Sequence, residues 1–205
     1  MLITRHFAFA HVPKTGGIWF REIIKAHAPR NWRPLVDDRS GGAQHMKASD
    51  IRSRTHLPII AVVRNPWSWW VSWFFFMKQK GKQHLSWQQR FADTDCDVPG
   101  FRVALDRMLA DRQKCPQCDI VIGSRGPVVD RLVDFDSMRE KIPSALKSLG
   151  VPSVDNVPWS TYPAKNTSLH QGYADYYTPE LVDRVSRLSA PLIDLMGFSF
   201  RQESR

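Results

Sequence analysis

The sequence predicts an α/β fold in one domain spanning residues 1–205: three layers, α/β/α, around a central, mostly parallel sheet. Three observations carry this expectation. Short apolar runs alternate with longer amphipathic stretches, which implies strands joined by helical crossovers. Two of the runs, ending near residues 12 and 63, turn at once into helices through segments rich in phosphate-binding chemistry. At 205 residues with 42% hydrophobic side chains, the chain is long enough to bury one sizeable core.

Taken in order, a strand is expected at 6–12 and a helix at 17–28, followed by a polar loop through 44 and a short helix at 48–54. A strand over Pro58-Ile-Ile-Ala-Val-Val63 comes next, then a helix at 66–79 and helices at 86–92 and 99–112. A third strand at 128–135 leads to a helix at 137–149, which Gly150 and Pro152 stop. Residues 153–172 read as loop and 178–196 as the last helix. In such a sheet ligands bind beyond the carboxyl ends of the strands, where both chemical motifs fall.

The first motif is His11-Val-Pro-Lys-Thr-Gly-Gly-Ile-Trp-Phe20. Paired glycines between a strand and a helix let successive N–H groups and the helix N-terminus face one anion, and Lys14 adds positive charge. The segment is not the nucleotide-hydrolase pattern, in which the lysine follows the glycines. The second motif is Arg64-Asn-Pro-Trp-Ser-Trp-Trp-Val-Ser72. Asn65 is an expected N-cap and Pro66 an expected first helical residue, so Ser72 lies about two turns along the helix. Arg64 offers a planar fork and Ser72 a neutral donor for one phosphate.

With these two motifs the chain resembles the sulfotransferases that use 3′-phosphoadenosine 5′-phosphosulfate, in the carbohydrate-type and bacterial branch. The resemblance rests on Pro13-Lys-Thr-Gly-Gly-Ile-Trp19, on Arg64 with Ser72, and on the C-terminal stretches Tyr176-Tyr-Thr-Pro-Glu-Leu-Val-Asp-Arg-Val and Asp194-Leu-Met-Gly-Phe-Ser-Phe200. It implies a sheet-and-helix fold like that of the P-loop nucleotide hydrolases and transfer of a sulfuryl group to a hydroxyl or amine of a glycan or small molecule. It also implies that Lys14, Thr15, Gly16, Gly17, Ile18 and Trp19 hold the 5′-phosphosulfate side of the donor, with Trp19 against the adenine. Arg64 and Ser72 would then hold the 3′-phosphate. No metal is implied. The chain departs from the family at Ile18, where many members have a hydroxyl side chain; its backbone N–H remains available.

Sulfuryl transfer needs charge relief on the departing phosphate and a base for the acceptor proton. Lys14, inside the glycine turn, suits the first task. For the second the resemblance points to His45, in Gly41-Gly-Ala-Gln-His-Met-Lys47 just before a short helix, because a histidine titrating near neutrality suits a general base. Glu22, on the helix leaving the turn, is the other candidate. His11 reads as a core histidine, while His56 and His84 have no motif around them. The segment Lys165-Asn-Thr-Ser168 falls where the family often contacts the nucleotide.

The net charge of +9 fits an anionic or sugar-containing acceptor without choosing it. No stretch approaches the roughly 18 apolar residues of a membrane span. The N-terminus opens with Arg5 and a strand rather than a leader, so a cytoplasmic protein is expected. The aromatic run Trp67, Trp69, Trp70, Trp73 and Phe74 to Phe76 is too broad for one helical face, so part of it must be core. Cys115-Pro-Gln-Cys118 matches no compact zinc module even with Cys96 and His84, and no thioredoxin-like strand precedes it, so reduced thiols are expected. A small-molecule kinase would want a magnesium-holding carboxylate at a strand end. A nucleic-acid-binding protein would leave both motifs unexplained, and nucleic acid is not an expected partner.

Overall fold

The computed structural model describes residues 1–38, 44–79, 93–110, 112–163 and 172–201. The expected helix at 86–92 and the Lys165–Ser168 segment lie outside the described residues. Two compact units divide the chain, one of Met1–Arg64 with Pro116–Asn166, the other of Asn65–Cys115 with Thr167–Arg205.

The first unit holds a mixed five-stranded sheet. Its strands are β1 (Leu2–Ile3), β2 (Ala8–Ala10), β3 (Val36–Asp37) and β4 (Ile59–Val63), joined by Arg131–Asp134. The two residue pairs Ile122–Gly123 and Gly126–Pro127 form a separate hairpin and are named β5 and β6; Arg131–Asp134 is therefore β7. The order across the sheet is β3-β1-β2-β4-β7. β2, β4 and β7 are parallel, with Ala10 opposite Ala61 and Val63 opposite Asp134. β1 runs antiparallel to both β2 and β3, so the sheet is mixed where a mostly parallel one was expected.

That antiparallel edge is built by a tight turn. The Thr4 hydroxyl donates to the Phe7 carbonyl at 2.9 Å and accepts the N–H groups of His6 and Phe7, which folds β1 back on β2 within a few residues. Two-residue strands such as β1 and β3 carry no periodicity, which is why a loop was expected where β3 forms.

α1 (Gly17–His27) and the later helix Met138–Ser148 bury Phe20, Ile23, Ile24, Ile142 and Leu146 with Phe7, Phe9, Ile60, Val62 and Val133 of the sheet region. The five residues Ala48–Arg52 form α2, which packs on β2. Every residue of β4 is buried, as expected of a central strand.

The second unit is helical. α3 (Pro66–Gln79) begins where the sequence predicts: the Asn65 side-chain oxygen accepts the Trp67 N–H at 3.2 Å. α4 (Val98–Ala110) packs on α3, and with the closing helix Pro179–Met196 it completes this unit. The closing helix starts on Thr178, whose hydroxyl accepts the Leu181 N–H, with proline at its first position. Trp67, Trp69, Trp70, Phe74 and Phe75 are all buried here with Phe101, Tyr176, Tyr177 and Leu181. These rings form the core of the second unit, and Trp73 and Phe76 of the same run pack against it partly buried. Trp67 Nε1 donates to the Val182 carbonyl and the Tyr177 hydroxyl donates to the Trp67 carbonyl, which satisfies the polar atoms that such burial encloses. Among the described residues no helix is long and apolar enough to cross a membrane.

Candidate functional site

β2 and β4 are neighbours and parallel, so their carboxyl ends open on the same edge of the sheet. The glycine turn follows β2 and Arg64 follows β4; the sheet therefore brings these two predicted features to one edge of the first unit. β7, the next strand, ends there too, at Asp134.

The turn after β2, termed the cradle below, has an uncommon backbone. Lys14 and Gly16 both take the left-handed conformation, with φ of 62° and 76°. For Lys14 this costs about 1–2 kcal/mol against an ordinary conformation, so the surrounding structure must hold it. Thr15 does part of that holding: it is buried, and its hydroxyl donates to the Val12 carbonyl at 2.8 Å. The Thr15 proton is therefore spent on the turn. Gly16 caps α1, and its carbonyl accepts the first helical hydrogen bond, from the Phe20 N–H at 2.9 Å. Gly17 is required by packing, since a Cβ there would lie 1.9 Å from His11 Cδ2. The imidazole of His11 is thus seated directly beneath the start of α1.

Ile18, at the second position of α1, is 41% exposed, so its apolar side chain stands where the resembled family often has a hydroxyl. Trp19 turns the other way. Its indole is 1% exposed, packs with Trp159, and donates Nε1–H to the Tyr162 carbonyl at 3.2 Å, with the Arg139 guanidinium 5.8 Å from its ring centroid. These are the surroundings of a side chain packed in the core of the first unit.

His45 stands beside the cradle. Its Nδ1 lies 3.0 Å from the His11 carbonyl oxygen, and the two imidazole centroids are 4.8 Å apart. A carbonyl can only accept, so Nδ1 carries the proton and the neutral ring keeps its lone pair on Nε2. Burial pushes the His45 pKa down, against the opposing effect of that hydrogen bond. His11 is pushed well down, first by burial and then by the charges of His45 and Arg21. Gln44 Nε2 lies 3.3 Å from His11 Nδ1 and donates to it when the other ring nitrogen carries the proton. Both histidines are accordingly held in the neutral form at pH 7.

Arg21, which sequence reasoning missed, is buried on α1 one turn beyond Gly17. It donates to the carbonyls of Met1 and Asp38 at 2.8 and 2.7 Å and pairs with Asp37 at 3.6 Å. It ties the cradle helix to the β1 and β3 edge. The only signal for it in the sequence is its place four residues after Gly17, on the same face of the helix. Glu22, the alternative base, is half-buried on α1 beside Arg21.

Arg64 is half-buried, with its guanidinium carbon 4.6 Å from the Phe135 ring centroid. Burial draws its pKa down while Asp136 and Asp134 oppose this. The Asp134 carboxyl is itself pushed up by burial, and one of its oxygens accepts the Asp136 N–H at 3.3 Å. The backbone of Arg64 is held by the buried side chain of Gln117, which sequence reasoning also missed. Gln117 lies on the helix Pro116–Val121, named α5, so that Met138–Ser148 is α6 and Pro179–Met196 is α7. Ser72 lies on α3 in the second unit and is 2% exposed.

Cys115 and Cys118 are joined as a disulfide, which corrects the expectation of reduced thiols: the turn that opens α5 brings two cysteines three apart together. Cys96 is exposed and free. Among the described residues no three His, Cys, Asp or Glu side chains form a group that could hold a metal ion.

No family model and no curated protein matches this chain. Among solved structures, the crystal structure of a sulfotransferase from Alicyclobacillus acidocaldarius is similar over 75% of this chain and 60% of that one, with 12% identity and a TM-score of 0.33. The chain spans about 60% of that protein's length, and the likeness is too loose to carry any residue of the site across.

Proposed function

We propose that the chain is a sulfotransferase that moves a sulfuryl group from 3′-phosphoadenosine 5′-phosphosulfate to a hydroxyl or amine of a glycan or small-molecule acceptor. One observation carries this reading: a left-handed Lys14-to-Gly16 cradle at a strand end, flanked by a neutral His45 whose free nitrogen is Nε2. The residues fit the donor. The cradle's backbone N–H groups and the start of α1 suit its 5′ anion, and the half-buried Arg64 just past the neighbouring strand suits a 3′-phosphate.

When bound, the donor supplies a sulfuryl group and a phosphate that leaves with the electron pair of the broken S–O bond. Lys14 stabilises the charge gathering on that phosphate. His45 Nε2 takes the proton of the acceptor as its oxygen or nitrogen attacks sulfur, while the His11 carbonyl holds the imidazole in the reactive tautomer. Gly16, Gly17 and the N–H of Ile18 orient the donor, and Ser72 adds a hydroxyl to the 3′-phosphate, on the strength of its eight-residue spacing from Arg64 in the sequence. Thr15 shapes the cradle through Val12, and Trp19 anchors the first turn of α1 in the core.

A second reading, a small-molecule kinase, gains one observation, because Asp134 supplies a carboxylate at the end of β7. Calorimetric titration separates the two. The sulfotransferase predicts micromolar binding of 3′-phosphoadenosine 5′-phosphate that needs the 3′-phosphate and no magnesium. A preference for magnesium-ATP would favour the kinase, and absence of any nucleotide binding would end both.

A further inference from the structure

Arg64 sits one residue past the end of β4. The ladder to β2 ends at the Ala10–Ala61 pair and the ladder to β7 at Val63 opposite Asp134; beyond these pairs come the N–H and carbonyl of Arg64. Gln117 takes both. Its Oε1 accepts the Arg64 N–H at 2.8 Å and its Nε2 donates to the Arg64 carbonyl at 2.8 Å. A carboxamide presents its acceptor and donor side by side, as the peptide groups of a further strand residue would. Gln117 therefore extends the ladder by one position and fixes φ and ψ of Arg64.

The clamp is set deep in the first unit. Gln117 is 1% exposed, so water does not compete for its two bonds, and loss of either leaves a buried polar group unpaired. With the Arg64 backbone fixed, the direction of its Cα–Cβ bond is fixed as well. The guanidinium then lies over Phe135, under the influence of Asp134 and Asp136. The aim of the side chain therefore bears on how it meets an incoming phosphate.

We propose that Gln117 is a positioning residue for phosphate recognition: by holding the Arg64 backbone it aims the guanidinium at the 3′-phosphate of the nucleotide. This rests on the nucleotide reading above. It predicts a specific division of labour, in which Gln117 contributes to discrimination for a 3′-phosphate and nothing to the 5′ side, which the cradle after β2 holds.

The test titrates the full chain and its Gln117→Leu variant with adenosine 3′,5′-bisphosphate and with 5′-AMP, with thermal melting recorded on each protein. Leucine keeps the volume and removes both hydrogen bonds. The expected result is that Gln117→Leu loses about tenfold or more of the preference for the 3′,5′-bisphosphate while 5′-AMP binds within about twofold of wild type. Preserved preference would overturn the inference. So would equal weakening for both nucleotides, the mark of a residue that only stabilises the fold. A wild-type protein with no preference for the 3′-phosphate would remove the nucleotide reading itself, and this inference with it.

Gln117→Glu covers the case in which leucine is not tolerated. Its carboxylate keeps the acceptor but faces the Arg64 carbonyl with a second one, and protonation restores the donor. Buried carboxyls titrate upward, so the ratio of wild-type to variant affinity for the 3′,5′-bisphosphate should shrink as pH falls from 8 to 5.5. A ratio that stays flat across this range would count against the clamp.

Discussion

His45 Nδ1 donates to the backbone carbonyl of His11 at 3.0 Å, and this one bond fixes which nitrogen of His45 can act as a base. His11 in turn is fixed by Gly17, whose missing Cβ gives its ring room. The catalytic candidate and the cradle therefore share a single support.

Removal of the base should leave the nucleotide in place. His45→Ala is expected to bind adenosine 3′,5′-bisphosphate like wild type while sulfuryl transfer falls by about 10²–10⁴, the usual worth of a general base. Since burial lowers the His45 pKa below its ordinary 6.5, the wild-type rate should rise with pH through a point below 6.5 and level off by neutrality. A rate that falls over that range would exclude His45 as the base.

Lys14 combines charge with an uncommon backbone. Lys14→Ala should weaken nucleotide binding and turnover together, because it removes the ammonium and leaves a side chain in the left-handed region. Lys14→Gly loses the same charge but relieves the backbone by about 1 kcal/mol, so it should melt higher than Lys14→Ala while remaining as inactive. Equal melting temperatures would argue that the φ of 62° is not held in solution.

Arg64→Ala should erase the preference for a 3′-phosphate and spare 5′-AMP. Competition titration of the two nucleotides against wild type checks it, and an unchanged preference would move the 3′-phosphate site elsewhere.

Gly17→Ala is expected to be among the most damaging single-methyl changes in the first unit, at about 1–3 kcal/mol, since the new Cβ would press into the His11 ring. His11→Ala with Gly17→Ala should cost less than the sum of the two single changes, because the smaller side chain vacates the contested space. Additive losses in a double-mutant cycle would contradict the contact.

Acid should destabilise the protein through the same pair. The His11 pKa is depressed in the folded state, so below its ordinary 6.5 the unfolded chain binds more protons and stability falls with pH. Between pH 7 and pH 5 the melting temperature of wild type should drop more steeply than that of His11→Gln, in which the group cannot titrate. Parallel curves would show that His11 carries none of the slope.

Particular residues mark where sequence reasoning succeeds. The start of α3 was legible because Asn65 and Pro66 act within four residues of themselves, and the turn at Lys14, Gly16 and Gly17 because glycine pairs signal backbone conformations that other side chains resist. The alternation of β2, α1, β4 and α3 was legible for a similar reason: apolar runs and helical periods are local. β1 and β3 were not, since two residues give no period. Trp19 shows a different limit. Its place in the motif invites a stacking role, and only the packing of Trp159 and the carbonyl of Tyr162 show how deeply the indole is set.

By itself the sequence determined an α/β chain with a cradle-forming turn, an arginine at a strand end and a histidine between them, because each is written in adjacent residues. Tertiary structure alone decided that β2 and β4 are parallel neighbours, which puts the cradle and Arg64 on one edge of the sheet. It also decided that His11 orients His45, that Arg21 is buried against β1 and β3, and that Gln117 holds Arg64 from 53 residues away. The physical reason is common to all of these. A hydrogen bond between distant residues depends on where two backbones end up after the core has packed, and no local propensity records that.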